Sequence, residues 1–421
     1  VEEGGPVNEV FTLKLSAVQV LGLAAWGVAM GIWLKRRLPI LDRLNIPASI
    51  AGGLVYAVIA LALRDRYLNL AMDMVLRDIL MIMFFTTIGM SASLRLVREG
   101  GVQVVWFFVI ATVGAVLQNV VGIAGARLFG LDPLLGIISG SVALTGGPAT
   151  ALAFGGTFEQ MGIAGATTLG IASATFGITA GGLMGGAIGA RLIRHYQLAP
   201  RSTRSQSRLV PAAGIVYAGS PDEPEALPLK DERESEESPL LNNVVAIAIS
   251  MGIGSVISLW FQRLGLVLPG YVGAMIAAGI VRNLDDRFHF ARVSQAQVDT
   301  LGNIALYLFI VMALMDLRLW ELVSLALPLM AMLLLQIALV WLMCWLLSFR
   351  LMGKDYEAAV MAGGFCGFML GTTANAMACM DVLVQKFGPA PRAFIVVPLV
   401  GAFLIDFTNA LVITAMANLL R

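Results

Sequence analysis

Ten apolar stretches, each of roughly the 20 residues that carry a helix across a bilayer, follow one another through this chain. They fall at 15–34, 46–63, 75–93, 103–125 and 161–190, then at 243–262, 266–281, 299–315, 322–348 and 392–420. In hydrocarbon every backbone N–H and C=O must be satisfied within the protein, so such runs are read as helices. Hydrophobic residues make up 58% of the chain and charged residues 13%, about half the charged share of a soluble domain. The fold class is an all-α polytopic membrane protein with five spans in each half. A net charge of +1, with the basic residues at span ends, leaves no patch suited to a nucleic acid.

Two further apolar segments do not fit a simple span. The stretch LDPLLGIISGSVALTGGPATALAFGG from Leu131 is interrupted by Thr145, Gly146, Gly147 and Pro148, which remove helix propensity and one amide donor. Non-helical backbone at membrane depth is tolerated where it is buried in protein or lines a cavity, which makes the break a candidate ligand site. A shift of 223 residues reaches KDYEAAVMAGGFCGFMLGTTANAMACM, placing Asp132 on Asp355, Gly140 on Gly363 and Thr150 on Thr373. The same shift carries Leu94-Arg95-Leu96 onto Leu317-Arg318-Leu319, and PASIAGG from Pro47 is echoed by PGYVGAM from Pro269, one residue off that register. A constant offset at separate places marks an internal duplication.

Lys and Arg placement sets the topology. With both termini outside, 20 of the 28 Lys and Arg residues fall on the cytoplasmic side, among them Lys35, Arg36, Arg37, Arg43, Arg191 and Arg194. This parity requires each broken segment to be a re-entrant hairpin rather than a full crossing. Odd-numbered repeats are then inverted, and one hairpin enters from each side. The resulting plan is an external tail at 1–12, a first membrane repeat at 13–196, a disordered cytoplasmic linker at 197–240 with an acidic run from Asp222, and a second repeat at 241–421.

The groups able to do chemistry are few. Cys344, Cys366 and Cys379 lie in apolar segments without metal-ligand spacing, and His195 and His289 sit at span ends, so the pattern suits neither a zinc site nor a catalytic triad. The hairpin tips expose half-helix N-termini, whose free amides and positive dipole ends suit an anion. Thr145, Gly146, Gly147 and Thr150, with Gly371, Thr372, Thr373 and Asn375, form the candidate substrate site. Asp406 lies midway along the last apolar run with Asn409 on the same helical face, and a charge there marks ion or proton handling. Asp406, Asn409, Asn375, Thr87 and Ser91 form the candidate sodium set; Thr87 and Ser91 stand on a polar stripe that reads equally as interhelical hydrogen bonding. Asp316 with Arg318 reads as a solvated pair at a span end.

Several motifs together resemble the bacterial sodium/glutamate symporters: FFTTIGM from Phe84, GSVALTGG from Gly140, KFG from Lys386, and VPLVGAF from Val397 continuing to Asp406 and NALVI from Asn409. The likeness covers nearly the whole chain outside the linker. It implies two inverted five-helix repeats with re-entrant hairpins, a homodimer in the bacterial inner membrane, and sodium-coupled import of glutamate by elevator-like alternating access. The sequence departs from the family pattern at the tips, where Pro148 and Ala149 replace a His-Gly pair, Ala374-Asn375 a Pro-Thr pair, and Cys379 an Asn. Those departures leave the substrate open to another small dicarboxylate or amino acid, and a proton-coupled carrier is the alternative. A channel would call for a continuous polar pore or filter. The chain also lacks a phosphate-binding GxxxxGK[ST] loop, as expected of a carrier not driven directly by ATP.

Overall fold

A computed structural model describes residues 11–44, 46–64, 67–93, 101–200, 239–263, 269–288, 293–320 and 325–420. The readings that concern most of the external tail, Leu94-Arg95-Leu96, the linker over 201–238, and His289 lie outside the described residues.

The first half runs through α1 (Ala17–Arg37), α2 (Ala48–Leu63), α3 (Val75–Met90) and α4 (Gly101–Leu128). A first hairpin follows, made of α5 (Pro133–Ile137), which passes into a π turn at Ile138–Val142, and α6 (Gly147–Gln160); α7 (Ala166–His195) closes the half. The second half repeats the order with α8 (Pro239–Arg263), α9 (Gly270–Phe288), α10 (Gln295–Met315) and α11 (Ala326–Met343). Its hairpin is α12 (Tyr356–Met369) and α13 (Thr373–Phe387). The last apolar run is not one uniform helix: α14 (Pro391–Leu399), with Pro398 inside it, passes through a π turn at Val400–Leu404 into α15 (Ile405–Leu419). Pro398 lacks the N–H that would donate to the Phe394 carbonyl, so one regular bond of α14 is missing just ahead of that turn.

Among the described residues six helices are long and apolar enough to cross a membrane: Ala17–Arg37, Gly101–Leu128, Ala166–His195, Leu240–Phe261, Gln295–Met315 and Ala326–Leu351. The other expected spans are shorter or end in charge. Helix α2 has 16 residues, and the last turns of α9 carry Arg282, Asp285, Asp286 and Arg287. The protein is a multi-pass membrane protein, and its outward surface agrees: Trp26, Trp33, Val105, Val109, Ile249, Val256 and Trp260 are exposed apolar side chains for which lipid is the fitting solvent.

The chain is not purely helical. Two four-residue strands, β1 (Thr12–Leu15) and β2 (Asn69–Met72), pair in parallel with Thr12 opposite Asn69. They lie just ahead of α1 and α3, outside the spans, where backbone without a helical partner is satisfied by the neighbouring segment. Runs this short carry no periodic signal that apolar-run reading could detect.

The helices sort into two packed bodies. One contains α1, α2, α3, α8, α9 and α10; the other contains α4, both hairpins, α7, α11, α14 and α15. Each body therefore takes corresponding elements from both halves. Contact between the bodies is sparser and includes α6 against α10, and α3 against the π turn that precedes α15.

The 223-residue shift reappears in local geometry. Asp132 caps α5 by accepting from the Leu134 amide at 2.8 Å, and Asp355 caps α12 by accepting from the Ala358 amide at 2.8 Å. Gly31 lies against the Ala48 backbone where α1 meets α2, and Gly254 against the Ala274 backbone where α8 meets α9; a methyl at either glycine would collide with that backbone.

Candidate functional site

Both hairpins turn at their glycine-containing breaks, and the breaks meet. Gly147 takes a left-handed φ of +70°, a conformation glycine adopts at little cost, and a Cβ there would stand 3.2 Å from the Thr372 methyl and 3.6 Å from the Gly371 carbonyl oxygen. Helix α6 begins at Gly147, so Pro148 and Thr150 belong to its first turn rather than to a loop, and the Thr150 side chain folds back over Gly146. In the second tip the Thr372 hydroxyl caps α13 with a long bond, accepting from the Asn375 amide at 3.4 Å. The N-terminal turns of two half-helices therefore open at one buried junction, an arrangement that presents amides and positive dipole ends to an anion.

A polar network that motif reading missed fixes this junction. The Thr145 hydroxyl donates to Gln118 Oε1 at 2.6 Å, while Gln118 Nε2 donates to the Met369 carbonyl at 2.8 Å, at the end of α12. Gln336 of α11 donates to the Gln118 carbonyl at 2.7 Å, and Asn119 Oδ1 accepts from the Ser141 amide at 2.9 Å. Gln118 thus ties both hairpins to α4 and α11. Three amide side chains within otherwise apolar helices were the available signal.

The candidate substrate residues are close but not equivalent. Thr145, Gly146, Gly147 and Thr150 surround the first tip, and Gly371 and Thr372 the second. Thr373 turns toward Gly401 in the π turn before α15, while Asn375 donates to the Ile178 carbonyl of α7 at 3.0 Å and to Gly367 at 3.2 Å.

The candidate sodium residues divide. Asn409 Nδ2 donates to the Ser141 carbonyl at 3.0 Å, which ties α15 to the first hairpin, and Asn409 Oδ1 and Ser141 Oγ are both buried without a hydrogen-bond partner. Asp406, one turn earlier, is half-buried and makes no hydrogen bond or ion pair among the described residues. Two orphaned oxygens, with a carboxylate one helical turn from Asn409 on α15, are a donor set suited to a small hard cation. Thr87 and Ser91 face elsewhere: Thr87 donates to Phe84 at 2.7 Å and packs on Gly302 of α10, and Ser91 accepts from Gln295 of α10 at 2.6 Å. No described contact joins them to Asp406 or Asn409.

Outside the spans, burial pushes the Asp316 carboxyl above the usual range although the residue is exposed overall; Arg77 and Arg318 pull it down, and Glu159 pushes it up.

A bundle of spans whose buried polar groups gather where two broken helices meet is the architecture of secondary carriers as a class. The Sodium/glutamate symporter family matches residues 13–389. Over 407 residues the chain is 39% identical to the sodium/glutamate symporter of Escherichia coli (strain K12), covering 95% of this chain and 96% of that protein. It is 33% identical to the one from Haemophilus influenzae (strain ATCC 51907 / DSM 11121 / KW20 / Rd), covering 94% and 95%. The chain belongs to the sodium/glutamate symporter family.

Proposed function

We propose that this protein imports glutamate, or a closely related small anion, together with sodium across the bacterial inner membrane by alternating access. Family membership supports the transported species, and the single structural observation that carries the reading is the buried junction of the two hairpin tips. The substrate's carboxylates sit against the first turns of α6 and α13, with Thr145, Gly146, Gly147 and Thr150 on one side and Gly371, Thr372, Thr373 and Asn375 on the other. Asp406, Asn409 Oδ1 and Ser141 Oγ hold a sodium ion; Thr87, Ser91 and Asn375 belong to the wider candidate set.

In this reading the two halves, at 13–196 and 241–421, are inverted five-helix repeats, the tips are re-entrant from opposite faces, and both chain ends are external with a cytoplasmic linker at 197–240. The body carrying the hairpins moves against the other, in a homodimer. The separate packing of the two bodies supports that division.

Uptake of labelled glutamate, aspartate and non-amino dicarboxylates into proteoliposomes, under either a sodium or a proton gradient, tests the function. Sodium should drive uptake, with glutamate or a near relative preferred. Asp406→Asn keeps the size but removes the charge that offsets a buried cation, so sodium activation should collapse in protein that still inserts. Drive by protons alone would transfer the coupling role to H+, and wild-type sodium activation in the variant would make Asp406 structural.

A further inference from the structure

Helices α7 and α13 run side by side in the same direction. A methyl at Gly185 would collide with the Cys379 sulfur, and one at Gly189 with the Leu383 side chain, so four residues along one helix match four along the other and the two C-terminal ends lie at one level. A cavity of about 710 Å³ opens there, with Arg191, Arg194 and His195 of α7 and Lys386 of α13 around it. Among the described residues no Asp or Glu lines it, and the side chains of Arg191, Arg194 and Lys386 make no hydrogen bond or ion pair. Cations at helix C-terminal ends ordinarily offset the helix dipole, but two such ends amount to roughly one negative charge between them. Three fixed positive charges converge here, which leaves a surplus for an added anion. The surroundings indicate which kind. His195 lies 5.7 Å from the Trp345 ring, and Tyr196 lies 6.3 Å from the same ring and stacks on Phe349 at 5.0 Å; Trp and Tyr gathered at span ends sit at the level of the lipid headgroups. Toward the spans the wall turns apolar. Ala187 and Val382 line it, Val382 is 58% exposed, and Leu183, one turn before Ala187 on the same face of α7, is 64% exposed. A small free anion gains nothing from such a wall, whereas an acyl chain does.

We propose that this cavity binds one anionic phospholipid, with the headgroup phosphate among Arg191, Arg194 and Lys386 and an acyl chain along Leu183 and Val382. Basic pockets between helix ends at the membrane surface suit acidic headgroups, and here the pocket and the apolar track adjoin. The site is separate from the hairpin junction and does not depend on which substrate is carried. Helix α13 starts at the second tip with Thr373 and reaches the cavity at its other end with Lys386 and Phe387. A bound lipid therefore clamps the far end of that half-helix to α7.

Native mass spectrometry of the full-length protein in detergent, titrated with phosphatidylglycerol, phosphatidylcholine or inorganic phosphate, tests this. One phosphatidylglycerol per chain should bind ahead of any phosphatidylcholine, and an excess of inorganic phosphate should not displace it. Combining Arg191→Gln, Arg194→Gln and Lys386→Gln should weaken that binding about a hundredfold, from a factor of about five for each cation close to an anionic headgroup. Arg36→Gln with Arg37→Gln removes two exposed cations from the end of α1 and should leave the same binding nearly unchanged. Phosphatidylglycerol should also slow alkylation of Cys379 on α13 severalfold in the native protein and not in the triple variant. Should the triple variant fail to insert, Ala187→Glu, at an exposed position one turn from Arg191, supplies an acid that competes with the headgroup and should lower the affinity in its place. An equal loss in the Arg36 and Arg37 variant would reduce the effect to general surface attraction. Displacement by inorganic phosphate would make the cavity a free-anion site, and equal binding of phosphatidylcholine would leave the cations without a role. Any of these overturns the proposal, as does undiminished binding in the triple variant or in Ala187→Glu.

Discussion

Ser141 and Thr145 lie four residues apart in the first hairpin, yet their hydroxyls do different work. The Thr145 hydroxyl is bonded to Gln118, so Thr145→Val leaves Gln118 Oε1 without a donor in a buried setting and should cost about 1–3 kcal/mol of stability. The Ser141 hydroxyl makes no bond that could be lost. Ser141→Ala should therefore leave the melting temperature of sodium-free protein within a degree or two while raising the sodium concentration for half-maximal uptake several-fold, because one oxygen of the cation set is gone. A wild-type sodium curve in the Ser141→Ala protein would remove Ser141 from that set. The sequence pointed to Thr145, which stands at a visible break, and to Asp406, which is a charge in an apolar run. It could not point to Ser141, whose importance comes from a partner 268 residues away; Gln118 stood out as an amide in an apolar helix, but its partner 251 residues away is encoded by no local pattern.

Apolar length and helix-breaking residues made most helices legible, including both hairpins. The π turns at 138–142 and 400–404 were not legible, since they depend on packing rather than on composition, and the two short strands fall below the length at which periodicity carries information. The second hairpin shows how an element is anchored by a residue beyond its own end. Arg392, at the start of α14, donates to both oxygens of Asp355 at 2.7 and 2.8 Å, and its amide donates to Glu357 at 2.7 Å. The pair is about a quarter exposed, so its contribution is on the order of 1 kcal/mol, enough to shift local opening severalfold without unfolding the protein. Arg392→Gln should therefore raise the alkylation rate of Cys379, which lies on α13 packed against Gly181 and Gly182, relative to Cys344, which directly follows α11. Peptide mass spectrometry resolves the sites, and parallel increases at both cysteines would indicate general loosening instead of a freed hairpin.

The two packed bodies put the duplication to use at the scale of the whole molecule, because each takes equivalent elements from both halves and the boundary between them runs past α6 of the first hairpin and the π turn before α15. If transport moves one body against the other, a covalent tie across the boundary should stop it, and a tie within one body should not. The boundary is crossed where the Thr168 hydroxyl of α7 donates to the Arg318 carbonyl just after α10, at 3.3 Å. Within one body, Asn243 of α8 donates to Gln297 of α10 at 2.5 Å. The native cysteines are buried, so the paired substitutions Thr168→Cys with Arg318→Cys, and Asn243→Cys with Gln297→Cys, can be bridged by a short thiol cross-linker that is cleaved by reductant. Bridging the first pair should abolish sodium-driven uptake, and cleavage should restore it. Bridging the second should leave at least half of the rate, since neither helix changes its neighbour during the cycle. Each bridge is verified by mass spectrometry of the joined peptides. Full uptake with the first bridge closed would mean that the two bodies keep their relation throughout transport, and the moving part would then have to be sought in the hairpin tips alone.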